Sequence, residues 1–362
     1  MQSTANSYRG NRHRTAPDLA HWHAPWPPEP ALEPALTIVD PHHHLYGTQA
    51  EPYYYLREDF EQDIVASGHN LVGTVWVEAY YSGWRTSGPE ELRSLGEVEN
   101  IVRAAATPLR SAHGTCRVGA GLVSNVDLTL GDRAAEVLDL HANAAQGRLS
   151  GVRHHATYDA GAIGQFMTPT QPHLLADPAF RRGVACLGRF GLSFDALVYH
   201  TQLDELAELA DAFPNVAMVL NHVGIVIGVA EYAARRAEVL AQWRQSMRAL
   251  SRRPNVFVKI GGMGMPVFGF GFEGQPRPAG SAALAQAWGP FIEFCIEAFG
   301  PARCMFESNF PVDKQSCGYA ELWNAFKLAS RSLSGQERGQ LFHGTACRVY
   351  RLPELAKACA AA

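Results

Sequence analysis

The chain has 362 residues, 47% hydrophobic and 18% charged, with 31 Lys and Arg against 35 Asp and Glu for a formal net charge of −4. That balance excludes the basic footprint of a nucleic-acid or anionic-membrane binder, and no apolar run approaches the about 20 residues that span a bilayer. Seven scattered cysteines (Cys116, Cys186, Cys295, Cys304, Cys317, Cys347, Cys359) form no C-x-x-C pair and the N-terminus has no signal-peptide apolar core, so free thiols in a reduced, cytoplasmic protein are expected.

In chain order, residues 1–34 read as an irregular arm, polar and then proline-rich in "HAPWPPEPALEP". His21 and His23 lie there with no strand before them and prolines after, and are not expected to be ligands. From 35 to 362, apolar and β-branched runs alternate with helical patterns. The runs are 36–40 (LTIVD), 71–79 (LVGTVWVEA), 116–123 (CRVGAGLV), 150–155 (SGVRHH), 192–200 (LSFDALVYH), 216–222 (VAMVLNH), 255–262 (NVFVKIGG) and 304–310 (CMFESNF). Eight such units predict a parallel sheet closed into one (β/α)8 TIM barrel. After the seventh run, residues 261–280 are too rich in Gly and Pro for a helix. Their place at the C-terminal end of a strand predicts a mobile active-site loop, or else an inert surface insertion.

Barrel enzymes carry their chemistry at the C-terminal strand ends. The polar residues there are His42, His43 and His44 (first strand), Glu78 (second), Arg153, His154 and His155 (fourth), His200 (fifth), Asn221 and His222 (sixth), Lys259 (seventh), and Glu307, Asn309 and then Asp313 (eighth). Side chains alternate along a strand. By that parity His42 and His44 share the side of Ile38 and Asp40, and His43 faces the other way. His200 aligns with Ala196 and Val198, and His222 with Met218 and Leu220. One histidine at a strand end is usually just hydrogen-bonded, but His42, His44, His200 and His222 together have the makings of a divalent metal site, zinc above all. Arg153 suits a bidentate clamp on a substrate carboxylate or a structural ion pair. Glu78 and Lys259 sit in apolar strands and need partners, each other or Arg153. With Arg153 and His154 they are the candidate substrate-binding groups. Tyr53, Tyr54 and Tyr55 either wall the pocket or pack on the surface.

"IVDPHHHLYG" (38–47) resembles the D-x-H-x-H-L-W opening of the amidohydrolase-2 group of the amidohydrolase superfamily. "GVRHH", "LNHVG", "VKIGG" and "MFESNFPVD" sit where that group has its later strand motifs, and "LFHGTACRVYRL" is similar to its closing helix. The resemblance runs over about residues 36–352. The nearest branch is lactonase-like and includes sugar lactonases and 2-pyrone-4,6-dicarboxylate lactonase; other branches are decarboxylases. The resemblance implies a barrel with a mononuclear or absent metal. His42 and His44 match the first-strand pair, His222 the sixth-strand histidine, and His200 falls where metal-dependent members place a ligand. One departure matters. The group's eighth strand reads G-[ST]-D-[WY]-P, and its aspartate is the base and often a ligand. Here "ESNFP" puts Asn309 at that position, and an amide cannot act as a general base. Glu307, two residues earlier, faces the same side by parity and can supply the missing carboxylate.

The expected function is a hydrolase that opens a lactone or related carbonyl compound by water attack at the barrel mouth. Glu307 is the favoured base and His222 the second choice, with His200 and Asn309 beside them. The carbonyl is polarised by a divalent metal or, without metal, by the imidazoles and Arg153. The alternatives are a nonoxidative decarboxylase of an aromatic or unsaturated acid, and a catalytically inactive ligand-binding barrel. The expected partner is a small lactone or carboxylate, with no nucleic acid and no membrane. An oligomer is compatible with the sequence.

Overall fold

The computed structural model describes residues 14–79, 82–165 and 170–360. All eight expected runs form strands. β1 (Thr37–His43) and β2 (Asn70–Val77) are followed by a short β3 (Leu109–Ser111), absent from the expected runs, which folds back antiparallel onto β4 (Gly114–Ser124). Then come β5 (Leu149–His155), β6 (Ser193–Leu197), β7 (Met218–Leu220), β8 (Val256–Ile260) and β9 (Cys304–Phe306). Leaving β3 aside, hydrogen-bonded neighbours follow chain order from β1 to β9, all parallel. β9 meets β1 through an isolated bridge between His43 and Phe310. Across that seam His44 N–H donates to Phe310 O (2.8 Å) and Asn309 N–H to His42 O (2.9 Å). The buried Asp40 carboxylate ties it further, accepting from Ser308 N–H (3.0 Å) and the Tyr319 hydroxyl (2.9 Å). The chain is a nearly closed (β/α)8 barrel.

Helices α2 (Arg57–Ser67), α3 (Leu95–Ala104), α4 (Ala134–Ala144), α5 (Pro178–Phe190), α6 (Leu203–Ala212), α7 (Arg236–Leu250), α8 (Ser281–Phe299) and α9 (Tyr319–Ala329) alternate with the strands. Two cores sort the faces of each strand. An inner core of Val39, Val75, Val77, Val123, Val219 and Met305 is plugged at the N-terminal strand ends by Tyr350, Leu352 and Leu355. The outer core, between strands and helices, holds Ile38, Trp76, Phe194, Ala196, Leu220 and Phe306. No helix among the described residues is long and apolar enough to cross a membrane. Among the described residues six cysteines are buried and form no disulfide; the side chain of Cys359 lies outside them.

The arm is more ordered than its composition implies. Residues 1–13 lie outside the described residues, but Ala16–His23 form a helix, α1. Thr15 caps it, its hydroxyl accepting from Asp18 N–H (3.3 Å), and Pro17 falls in the first turn, where its missing N–H costs nothing. The arm is also pinned further along. Lys327 Nζ donates to Leu32 O (2.7 Å) and Glu33 O (2.9 Å), and Glu29 N–H to Glu321 Oε1 (2.7 Å).

Candidate active site and metal centre

Strand alternation places His42 and His44 together and His43 apart, as the structure has them, but the reference direction is reversed. Asp40 pairs with Thr74 and His43 with Trp76, three steps on β1 against two on β2. This bulge inserts one residue and turns the faces over. Ile38 and Asp40 face the outer core, whereas His42 and His44 point inward. His43 is outside, its ring stacked on Phe60 (4.2 Å between centroids) and its Nε2 2.8 Å from the Thr74 hydroxyl. His222 departs from parity for another reason. Met218 and Leu220 face outward, but His222 adopts a left-handed backbone (φ 54°) that swings it back toward the barrel axis. That turn needs Gly262 alongside, because a Cβ there would lie 2.3 Å from His222 Nδ1.

The result is a compact cluster. Ligand atoms of His42, His222 and Glu307 lie within 4.8 Å of one another, all buried. His222 Nδ1 is 2.7 Å from Glu307 Oε1 and His42 Nδ1 is 2.8 Å from Glu307 Oε2. His42 Nε2 lies 3.2 Å from His44 Nε2. His44 Nδ1 faces the Val77 carbonyl (2.9 Å), so it carries the proton and donates, which leaves His44 Nε2 as a lone pair.

Proton bookkeeping at His42 tests whether this cluster fits a cation. Its Nδ1 faces two groups of opposite demand, the Lys259 ammonium (3.2 Å) and the Glu307 carboxylate. With the proton on Nε2, the Nδ1 lone pair opposes Glu307 Oε2. With the proton on Nδ1, that N–H opposes Lys259, and two Nε2 lone pairs face each other. Protonating both nitrogens is resisted, because burial and then the Lys259 charge hold His42 well below its ordinary pKa. Burial and Arg153 likewise push His44 down to about 3. Glu307 Oε2 faces His42 Nδ1 and, unless that nitrogen carries the proton, accepts no hydrogen bond from the described residues. Two imidazoles converging on a buried carboxyl group form the donor set of a divalent metal, and two histidines plus one carboxylate is a known catalytic zinc arrangement with room for substrate.

Other expected residues fall into two groups. Arg153 and Glu78 pair inside the barrel, Nε to Oε1 at 2.5 Å and Nη2 to the Glu78 carbonyl at 2.6 Å, while Nη1 reaches toward His42 Nε2 (3.4 Å). Burial alone would raise the Glu78 carboxyl, but Arg153 and His155 hold it below the usual carboxylate range. Lys259 pairs with neither Glu78 nor Arg153. It binds Asp195 (2.8 Å), whose carboxylate also accepts from the Tyr350 hydroxyl (2.7 Å) and Ser193 (3.0 Å). Asp195 and Tyr350 are contributors the sequence reading missed. Asp195 had the same signal as Lys259, a charge alone in an apolar strand.

Three expected positions are not brought to the cluster. His200 lies beyond the end of β6, in a helical turn where strand parity no longer applies. Its Nδ1 accepts from Ile227 N–H (3.4 Å) and its ring meets Tyr232 edge-on, outside the group of converging ligands. His154 faces the outer core, edge-on to Phe180 and accepting from Leu128 N–H (3.2 Å). The inward neighbour is His155, 3.0 Å from Glu78 Oε1. Asn309, left-handed at φ 52°, turns its amide to Asp313 Oδ1 (2.9 Å). Asp313 also takes Gly264 N–H (2.9 Å), and burial pushes its carboxyl up to about 8.

Beside His44 and Arg153, which neighbour the cluster, opens a cavity of about 960 Å³; His42, His222 and Glu307 do not line it. Its floor carries His44, Arg153 and His155, and its walls include Tyr46 and all of Tyr53–Tyr55. The 261–280 loop does not line it. That loop packs alongside, with Phe268, Phe270 and Phe272 stacked in sequence.

The fold and this cluster define a barrel hydrolase of the amidohydrolase superfamily, and the comparisons agree. A family model described as Amidohydrolase matches residues 85–352, and the chain belongs to that family. An uncharacterized protein, y4mH, of Sinorhizobium fredii is 30% identical over 88% of this chain and 99% of its own. An L-fucono-1,5-lactonase of Burkholderia multivorans is 30% identical over 62% of this chain and 71% of its own. A crystal structure of an amidohydrolase from Burkholderia multivorans with bound zinc superposes with a TM-score of 0.65 at 25% identity, covering 88% of this chain and all of that one.

Proposed function

We propose that the protein hydrolyses a lactone. The observation that carries this reading is the buried Glu307 carboxyl group between His42 and His222, next to a cavity whose floor presents His44 and Arg153. The lactonase relative supports the cyclic-ester class. His42, His222 and Glu307 would hold a divalent ion, and zinc suits this donor set and is bound in the related amidohydrolase. Such an ion supplies Lewis acidity to the carbonyl and to water.

The chain's own residues do the rest. Arg153, fixed by Glu78, has Nη1 left to donate to the carbonyl oxygen as negative charge develops there. Glu307 takes the proton of the attacking water on whichever lone pair of Oε2 the ion would leave free, while His222 holds Oε1. The new C–O bond forms, the ring C–O bond breaks, and the proton passes from Glu307 to the leaving alkoxide, giving a hydroxy acid. Lys259, anchored by Asp195, keeps His42 neutral and oriented.

The test is a panel of five- and six-membered sugar lactones followed by acid release. Glu307→Gln should lose about a hundred- to ten-thousand-fold in kcat while its thermal melt shows a folded barrel. Asn309→Ala should lose far less. A folded Glu307→Gln with near-normal kcat removes Glu307 from the role of base.

A further inference from the structure

The cavity is larger than the chemistry at its floor requires. At about 960 Å³ it stands at the upper end of the about 300–1,000 Å³ typical of ligand pockets. Its outer half is built by two segments outside the strand-end machinery. On one side α1 contributes Ala16, Pro17, Leu19 and Ala20; on the other lie Pro52, Tyr53 and Tyr54. The two sides are joined, since Ala16 N–H donates to Pro52 O (2.8 Å).

The cations at this level are already engaged. Arg14 donates to Gln315 O (3.2 Å) and Glu273 O (2.8 Å) and lies 3.9 Å over the Trp22 ring, and Lys314 is held by Asp63 (2.6 and 2.8 Å). The acids in the lining, Glu51 and Asp59, accept from Thr48 N–H (2.7 Å) and Leu56 N–H (2.8 Å), and most of what else faces the space is proline, alanine, leucine and tyrosine, with tyrosines offering large rigid contact area.

We propose that α1 and the Tyr53–Tyr54 segment form a second, apolar subsite of the reaction pocket, which receives an uncharged aryl or alkyl substituent carried by the ring that is opened. This rests on the lactonase reading. It makes the arm a determinant of specificity, and it separates two tasks: Arg153 and the cluster handle the ester, and the arm selects what is attached to it.

The experiment compares δ-valerolactone with its 6-phenyl derivative, by turnover and by calorimetric binding of the two ring-opened hydroxy acids. Wild type should favour the phenyl compounds by about tenfold or more in kcat/KM and in Kd, since a filled apolar pocket discriminates on that scale. Ala20→Trp, at an exposed helical position that tolerates the change, should fill the subsite and abolish that preference. His21→Ala, on the same helix but not in the wall, should keep the preference. Matching thermal melts confirm folding. If wild type shows no preference, or Ala20→Trp retains it, the subsite is wrong. If neither lactone turns over but the phenyl acid binds tighter and Ala20→Trp erases the difference, the subsite stands and the lactonase reading falls.

Discussion

The three consecutive histidines divide their labour by direction. His42 and His44 point into the barrel and His43 packs on Phe60 beside Thr74. His42→Ala and His44→Ala are therefore expected to abolish turnover. His43→Ala should retain most kcat and instead cost about 1–3 kcal/mol of stability, from a lost ring contact and a lost hydrogen bond to the Thr74 hydroxyl, which keeps Gly119 N–H. Turnover and urea midpoints for the three variants check this, and a dead but stable His43→Ala would reverse the assignment. Glu307 shows what one residue's environment can conceal. Its inward direction was legible from strand parity, but the opposing demands on His42 Nδ1, which make the cluster a cation site, depend on Lys259 arriving from a strand more than two hundred residues distant in sequence.

At the level of elements, the strand runs were legible because buried parallel strands are dense in Val, Leu, Ile and Phe. Parity read along them was sound only while the pleat was regular. It failed across the Asp40–His43 bulge, beyond the end of β6 at His200, and at the left-handed His222, because each is a backbone irregularity with no compositional mark of its own. α1 was hidden by the proline-rich stretch that follows it, although its own Pro17 falls in the first turn, which is compatible with a helix. The glycines after β8 were visible but their purpose was not. Gly262, at φ 65°, lets the chain pass against His222. Gly262→Ala should strain the backbone by about 1–3 kcal/mol and displace that imidazole. Loss of activity together with weakened zinc uptake, read by elemental analysis, is the expected result; wild-type zinc content and rate would show that the approach is not needed.

The whole molecule should be acid-sensitive. His69 and His141 are buried away from the cluster, and both are pushed down to about 3, chiefly by burial, with the Lys327 charge assisting at His69 and Arg85 at His141. In the unfolded chain each takes its proton near the ordinary value of about 6.5, and in the folded chain only near 3. Their folded pKa is depressed, so the stability they contribute is present above about 6.5 and is lost as pH falls toward 3, by about 1.4 kcal/mol per group per pH unit inside that window. Urea midpoints should hold between pH 7.5 and about 6.5 and then decline steadily toward pH 5, and a profile flat down to pH 5 would contradict the assignment of neutral buried imidazoles.

The seam between β1 and β9 has a consequence for how the barrel breathes. The sheet is joined there by one bridge and a few hydrogen bonds, and His42 and Glu307 sit on opposite banks, 2.8 Å apart. An ion gripping both would rivet the first strand to the last, so opening of the ring would require its release. Metal occupancy and ring closure are then linked equilibria: free ion at a hundred times its Kd would add about 2.7 kcal/mol against opening. Chelation should lower the melting temperature. It should also speed amide exchange most in β1 and β9, leaving β5 and β6 on the far side of the ring the slowest to exchange.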